Sequence, residues 1–191
     1  MGFNDGAAYE RMMGSWSRLV GQGFIDWLAP NPGSRWLDVG CGNGAFSDLI
    51  SLLCAPKSIN GIDPSSEQIE FANSRSIEAP VTFQLGDAMD LPLDDSNVDI
   101  AAMALVIFFV SDPAKGVAEM VRAVRPGGVV ASYTWDIVNE GSPSGLLSSL
   151  LRQFGFKPQS PPNVQASEMS NLEALWSRAG MDAIESRQFT V

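Results

Sequence analysis

Between Arg18 and Leu28, apolar side chains recur at Leu19, Val20, Phe24, Ile25, Trp27 and Leu28, close to helical spacing, before "APNPGS" ends the run. The pattern then changes period. "RWLDVG" reads as a short buried strand, and "AFSDLISLLC" as an amphipathic helix. "SINGID" is a second strand, followed by the helix "PSSEQIEFANSRS", in which Ser65 and Gln68 stand at capping-box spacing. "VTFQLGD" gives a third strand. "VDIAAMALVIFFV" gives a fourth that is apolar throughout, as suits a central parallel strand. Asp112 and Pro113 fit the cap and first turn of a helix ending at "RPGG", and "GVVASYTWD" is a fifth strand. Residues 137–170 break the rhythm with loop-rich sequence around one helix, "LLSSLLRQF". Ser170 and Glu173 then suggest a capped helix stopped by Gly180, and "DAIESRQFTV" reads as a sixth strand.

Strands alternating with helices imply an α/β domain with a mainly parallel sheet, doubly wound, with helices on both faces. In such sheets ligands bind at the carboxyl ends of the strands. The 191 residues fit a single domain, 1–191, with a helical cap over 1–30 and a loop-rich, substrate-side insertion over 137–170. Twelve basic residues against twenty-two acidic ones leave a charge of −10 with no basic cluster, which argues against a nucleic-acid partner. The apolar run from Ile100 to Val110 is about half a membrane span, and the first residues lack the pattern of a secretory signal. The expectation is a cytoplasmic protein with no membrane partner. There is no histidine, so a Ser-His-Asp triad and histidine-ligated zinc are excluded.

The chemistry concentrates after the strands. Gly40, Gly42 and Gly44 fall where the first strand turns into the first crossover helix, leaving bare backbone and free helix N–H groups for a ligand. Gly40, Gly42 and Ala45 also match the dinucleotide pattern G-x-G-x-x-A, which keeps hydride chemistry open. Asp38 weighs against a pyrophosphate there, since its charge would repel phosphate and welcome an ammonium or sulfonium. It can equally cap the loop. Asp63 ends the second strand, where an acid accepts ribose hydroxyls. Asp87 ends the third, where it can accept from an exocyclic amine. Each alone also reads as a turn residue. Together the three acids and the loop describe a nucleoside with a cationic amino-acid tail.

"WLDVGCGNG", "GIDPS", "GDAMDLPLDDSNVDI" and "VRPGG", in this order, resemble the class I S-adenosylmethionine-dependent methyltransferases, in particular the small-molecule group of ubiquinone and menaquinone biosynthesis methylases. The resemblance covers about residues 8 to 136. It implies a Rossmann-like fold, S-adenosyl-L-methionine as cofactor and a small-molecule methyl acceptor; a catalytically silent domain that binds the cofactor or a partner protein keeps the same motifs. It also implies site residues: Gly40, Cys41, Gly42, Asn43 and Gly44 with Asp38 along the methionyl portion, Asp63 with Pro64 and Ser65 at the ribose, and Asp87 at the adenine amine. Ala88 and Met89 would flank the ring, and Ala104 or Leu105 would sit near the methionine end. The segment "YERMMGSWSR" resembles caps that close over cofactor and acceptor.

Because a sulfonium donor is already activated, positioning can supply much of the acceleration, and the missing histidine is tolerable. Should the acceptor need deprotonation, the candidates are Asp136, Glu140, Tyr9 and Tyr133, none singled out by sequence. Trp16 and Trp135 can line an aromatic pocket or simply pack. Cys41 reads as a packing residue behind the loop, not a nucleophile. Asp90, Asp94, Asp95 and Asp99 read as a solvated acidic turn and not a metal site. Relatives carry a further antiparallel strand that this sequence, ending at Val191, is expected to lack, as a C-terminally truncated domain would. The sheet edge this would expose offers a surface for a homodimer.

Overall fold

Arg35–Val39 (β1), Ser58–Asp63 (β2), Val81–Leu85 (β3), Val98–Ala104 (β4) and Val124–Tyr133 (β5) form one parallel sheet in the order β3-β2-β1-β4-β5. This computed structural model describes residues 6–157 and 160–191, with side chains from Met13 onward. β1 lies at the centre, and Trp36, Leu37, Asp38 and Val39 are all buried, which explains why its sequence reads as a run and not as an alternation. The helices are Gly6–Leu28 (α1), Ala45–Cys54 (α2), Ser66–Asn73 (α3), Pro113–Ala123 (α4), Gly145–Gln153 (α5) and Met169–Arg178 (α6). From β1 the chain winds outward to β2 and β3, then returns to β4 and winds the other way to β5. Right-handed crossovers therefore place α2 and α3 on one face and α4 on the other. The winding reverses between β1 and β4, and a crevice opens at their carboxyl ends.

The starts of two helices follow their sequence signals. Ser65 Oγ accepts the Gln68 amide at 3.3 Å, and Asp112 Oδ1 accepts the Lys115 amide at 3.1 Å. Other expectations are corrected. The first helix extends beyond the apolar run that starts at Arg18, back to Gly6, within the helical cap expected over 1–30. The fourth strand stops at Ala104: the Leu105 amide donates to the Tyr133 carbonyl at 2.9 Å, the last rung of the β4–β5 ladder, and the left-handed conformation of Leu105 (φ 62) then carries the chain out of the sheet. "IFF" then forms a short 3-10 helix, Ile107–Phe109. "RPGG" is no helix end: α4 stops at Ala123, and these residues bulge out of β5, between the pairs Val98–Val124 and Ile100–Val129. Ser170 caps nothing. It lies inside α6, which starts at Met169, and Glu173 instead accepts from Ser186 Oγ. The sixth strand does not form: residues 182–191 are irregular and exposed. Ile184, Phe189 and Val191 are its large apolar positions, too sparse to give the strand a buried face.

Tertiary packing closes one end of the crevice. The Phe24, Phe46 and Tyr133 rings meet at centroid distances of 4.7–6.1 Å, joining α1 and α2 to the end of β5. Trp176 Nε1 donates to the Val130 carbonyl at 2.9 Å and fastens α6 to β5. On the opposite rim of the sheet, Asp99 accepts from Arg35 and Arg125, and Arg122 bridges Glu119 and Asp95 while bonding the Leu91 and Leu93 carbonyls. Asp95 and Asp99, read from sequence as a solvated turn, are thus held in ion pairs. Among the described residues no helix is long and apolar enough to cross a membrane.

Candidate active site

A cavity of about 720 Å³ occupies the crevice at the carboxyl ends of β1, β2, β4 and β5, within the usual size range of small-ligand sites. The loop after β1 makes its floor. Gly40 and Cys41 donate their amides to the Ile62 carbonyl (2.7 and 3.0 Å), which folds the loop back over β2. Gly40 sits at φ 73, and a Cβ there would lie 2.5 Å from Val106 Cγ1. Gly42 also has positive φ, but nothing approaches its Cβ position within 4 Å, so its bareness leaves open space. Asn43 Oδ1 accepts the Ala45 amide at 3.2 Å and steadies the first turn of α2. Arg75, whose guanidinium lies 5.4 Å over the Phe71 ring, donates to the Asn43 carbonyl.

Two carboxylates support this loop from beneath. Asp63 Oδ2 accepts the Gly42 amide and Oδ1 the Ser65 amide, each at 2.9 Å. Burial pushes the Asp63 pKa upward, against the two amides. Asp38 is fully buried, accepts from Ser47 Oγ at 2.7 Å through Oδ2, and has no partner for Oδ1. Desolvation pushes its pKa up to about 7; Ser47 opposes the rise and the nearby Asp63 charge adds to it. The Cys41 thiol, buried near both acids, is pushed well above the ordinary thiol range, so it cannot serve as a ready thiolate.

Of the residues singled out in the sequence, Asp38, Gly40, Cys41, Gly42, Asn43, Asp63, Pro64, Ser65, Ala104 and Leu105 line this one cavity. Gly44 does not: its Cβ position faces Phe83, Ala72 and Arg75. Asp87, Ala88 and Met89 also lie outside the lining. Asp87 Oδ1 accepts the Met89 amide at 2.8 Å in a tight turn that abuts the site, since Gly86 donates to the Asp63 carbonyl. Tyr133 lines the cavity, whereas Asp136 holds Asn139 and Glu140 pairs with Arg152 at 2.7 Å. The Tyr9 side chain is outside the described residues. Trp16 is largely exposed and Trp135 packs against the core, and neither lines the cavity.

Sequence reasoning missed the apolar half of the wall, made by Phe46, Leu49, Val106, Phe109 and Pro162. The signal for Val106 and Phe109 was the apolar run continuing beyond Ala104, which was assigned to the strand. Arg18 and Gln68 were also missed as lining residues. Arg18 faces the cavity from α1, and Gln68 carried only a capping signal. The cavity therefore has two ends of different character: carboxylates and bare backbone at one, aromatic and aliphatic surface at the other.

Comparison with known proteins agrees with this geometry. Residues 37–132 match the methyltransferase-domain family. The chain is 34% identical over 134 residues to a malonyl-[acyl-carrier protein] O-methyltransferase of Serratia marcescens, an alignment covering 67% of this chain and 51% of that protein. It is 30% identical over 144 residues to a 2-phytyl-1,4-naphtoquinone methyltransferase of Synechococcus elongatus, covering 73% and 57%. The chain thus spans about half the length of these two relatives. Among solved structures, a SAM-dependent methyltransferase from Thermotoga maritima superposes with a TM-score of 0.64 at 25% identity, covering 91% of this chain and 80% of that one. From its sheet order, its glycine loop and these matches, the chain belongs to the methyltransferase-domain family, on the Rossmann-like fold of SAM-dependent methyltransferases.

Proposed function

We propose that this chain binds S-adenosyl-L-methionine in the cavity and transfers its methyl group by in-line displacement to a small-molecule acceptor. The observation that carries the reading is Asp38 Oδ1: a buried carboxylate oxygen in the cavity lining, without a hydrogen-bond partner, suits a cationic ligand and repels a pyrophosphate. S-adenosylmethionine, when bound, supplies a methyl group already activated on a sulfonium. The protein's part is positioning. The backbone of Gly40–Asn43 takes the methionyl portion, with Asp38 as its counter-charge. Asp63 keeps a free lone pair on each oxygen beyond the two amides it holds, enough to accept ribose hydroxyls while pinning the loop. The Asp87 turn, beside Asp63, serves the adenine edge. Leu105, Val106 and Phe109 exclude water and favour an apolar or aromatic acceptor. Residues 1–191 belong to one methyltransferase domain, capped by 1–30 and bounded on the acceptor side by 137–170. It acts in the cytoplasm, on no nucleic acid, and the free β5 edge is the surface for a homodimer.

Calorimetric titration with S-adenosylmethionine, S-adenosylhomocysteine and NADH in parallel tests the reading. Micromolar binding of the first two without NADH is expected; binding of NADH alone overturns it. Replacing Asp63 with Ala removes both the ribose acceptor and the anchor of Gly42. S-adenosylhomocysteine affinity is expected to fall about tenfold to a hundredfold, the scale of lost hydrogen bonds to a charged group. Unchanged affinity would sink the ribose assignment.

A further inference from the structure

Helix α5 carries its apolar face on the outside. At about 3.6 residues per turn, Leu146, Leu147, Leu150 and the capping position Phe154 fall within roughly 100° of its circumference, and all four are exposed. The other side carries Gly145, Ser148 and Ser149, and that is the side turned inward: Gly145 is buried and both serines are partly buried. A surface helix ordinarily does the reverse.

Both ends hold α5 in this orientation. A Cβ on Gly145 would lie 2.0 Å from the Glu140 carbonyl oxygen, so the glycine lets the first turn press against that backbone. Arg152, one turn from the far end, pairs with the Glu140 carboxylate at 2.7 Å. Gly155 (φ 82) then closes the helix. Its amide donates to the Arg152 carbonyl and the Phe156 amide to the Leu151 carbonyl, each at 3.0 Å. These two bonds fix Phe156, also exposed, just past the last turn.

Three leucines and two phenylalanines so presented offer on the order of 600 Å², the upper end of what a monomer leaves bare. Two such faces in contact bury about 1,200 Å², enough for a specific interface. The stripe itself is uncharged. Residues 142–157 carry two bases and no acid, and Arg152 is neutralised by Glu140, whereas the whole chain stands at −10. Repulsion between two acidic copies is therefore weak at this face. An apolar, uncharged patch is also complementary to itself, as a two-fold pairing requires. We propose that α5 is a docking surface for a second copy of this chain, leucine face against leucine face. It is separate from the β5 edge and independent of the methyl-donor site.

Sedimentation velocity on the whole chain tests this, from about 1 to about 100 μM, a range that brackets micromolar association. The wild type is compared with two double variants at the most exposed positions, Leu146 (74%) and Phe154 (79%). One is Leu146→Asp with Phe154→Asp; the other is Leu146→Gln with Phe154→Gln, which adds no charge. Both are expected to weaken the α5 pairing about a hundredfold or more and so to halve the mass of the assembly. The change runs from tetramer to dimer if the β5 edge also pairs, and from dimer to monomer if it does not. Neither side chain is buried, so the thermal transition at low concentration stays in place and serves as the folding control. Variants that assemble to the wild-type mass overturn the proposal and leave the β5 edge as the surface. Loss of mass in the Asp variant alone assigns the effect to added charge and overturns it as well. A wild type that stays monomeric throughout overturns both surfaces, and flotation with phosphatidylcholine vesicles then shows whether lipid covers α5 instead.

Discussion

Asp38→Asn is expected to make the free protein more stable and the donor site nearly inert. The buried carboxyl titrates near pH 7 in the folded chain, against 3.8 for its ordinary value. Between those two values the folded state holds a proton that the unfolded chain has released, so the contribution of Asp38 to stability is complete below about pH 4 and is lost as the pH rises through 7. From pH 5 to pH 8 the loss amounts to about 3 kcal/mol, at about 1.4 kcal/mol per pH unit. Asparagine carries no such penalty and can still accept from Ser47 Oγ. Denaturant unfolding of both proteins across this range should therefore show a gap that widens with pH in favour of the variant. The same substitution removes the counter-charge for a cationic ligand, and S-adenosylhomocysteine binding should weaken about tenfold to a hundredfold at pH 8. A variant that is no more stable at pH 8 than at pH 5, relative to the parent, refutes the buried-charge account. Undiminished affinity refutes the role in binding.

The second large effect lies two residues on. Gly40→Ala places a methyl group 2.5 Å from Val106 Cγ1 and 2.6 Å from Cγ2, at φ 73. Steric overlap and left-handed strain together should cost about 3 kcal/mol or more, lowering the melting temperature by roughly 6–12 °C for a chain of this size. Val106→Ala removes the obstructing methyl groups, so the double variant should be less destabilised than the sum of the singles. Gly42→Ala is the contrast. With nothing within 4 Å of the new methyl, it should cost only about 1 kcal/mol of stability, from strain. Its methyl group enters the cavity floor, however, and should depress ligand binding as severely as Gly40→Ala depresses stability. If the two glycines behave alike in both assays, the division of labour within the loop is wrong.

What the sequence made legible was local. The glycine loop, the Ser65 and Asp112 caps and the acids ending β1 and β2 each depend on a few adjacent residues, and each lies where the pattern placed it. The misreadings share a different cause. The apolar run from Val98 to Val110 looks continuous, yet the chain leaves the sheet at Leu105, where the backbone turns left-handed just after its last ladder bond to Tyr133. Nothing in "ALVIFFV" reports that turn, since leucine gives no local signal for positive φ. The sixth strand failed for another reason: "DAIESRQFTV" has some strand-forming residues, but its large apolar ones, Ile184, Phe189 and Val191, are too sparse to make a face. Cavity walls suffer most, since Arg18, Phe46, Val106 and Pro162 converge from four separate segments, and each taken alone resembles ordinary helix or core.

The sheet order also bears on how the chain is made. During synthesis β1, β2 and β3 emerge first and can pair among themselves, with β1 at one margin of that partial sheet. The other side of β1, which in the finished protein meets β4 along Trp36–Asp38, stays open until Ile100–Ala102 have left the ribosome, more than sixty residues later. For that interval one edge of the central strand is bare, and Asp38 is among its residues. A charge that weakens the folded state guards the nascent one, since a bare strand carrying an acid is a poor template for pairing with a stranger.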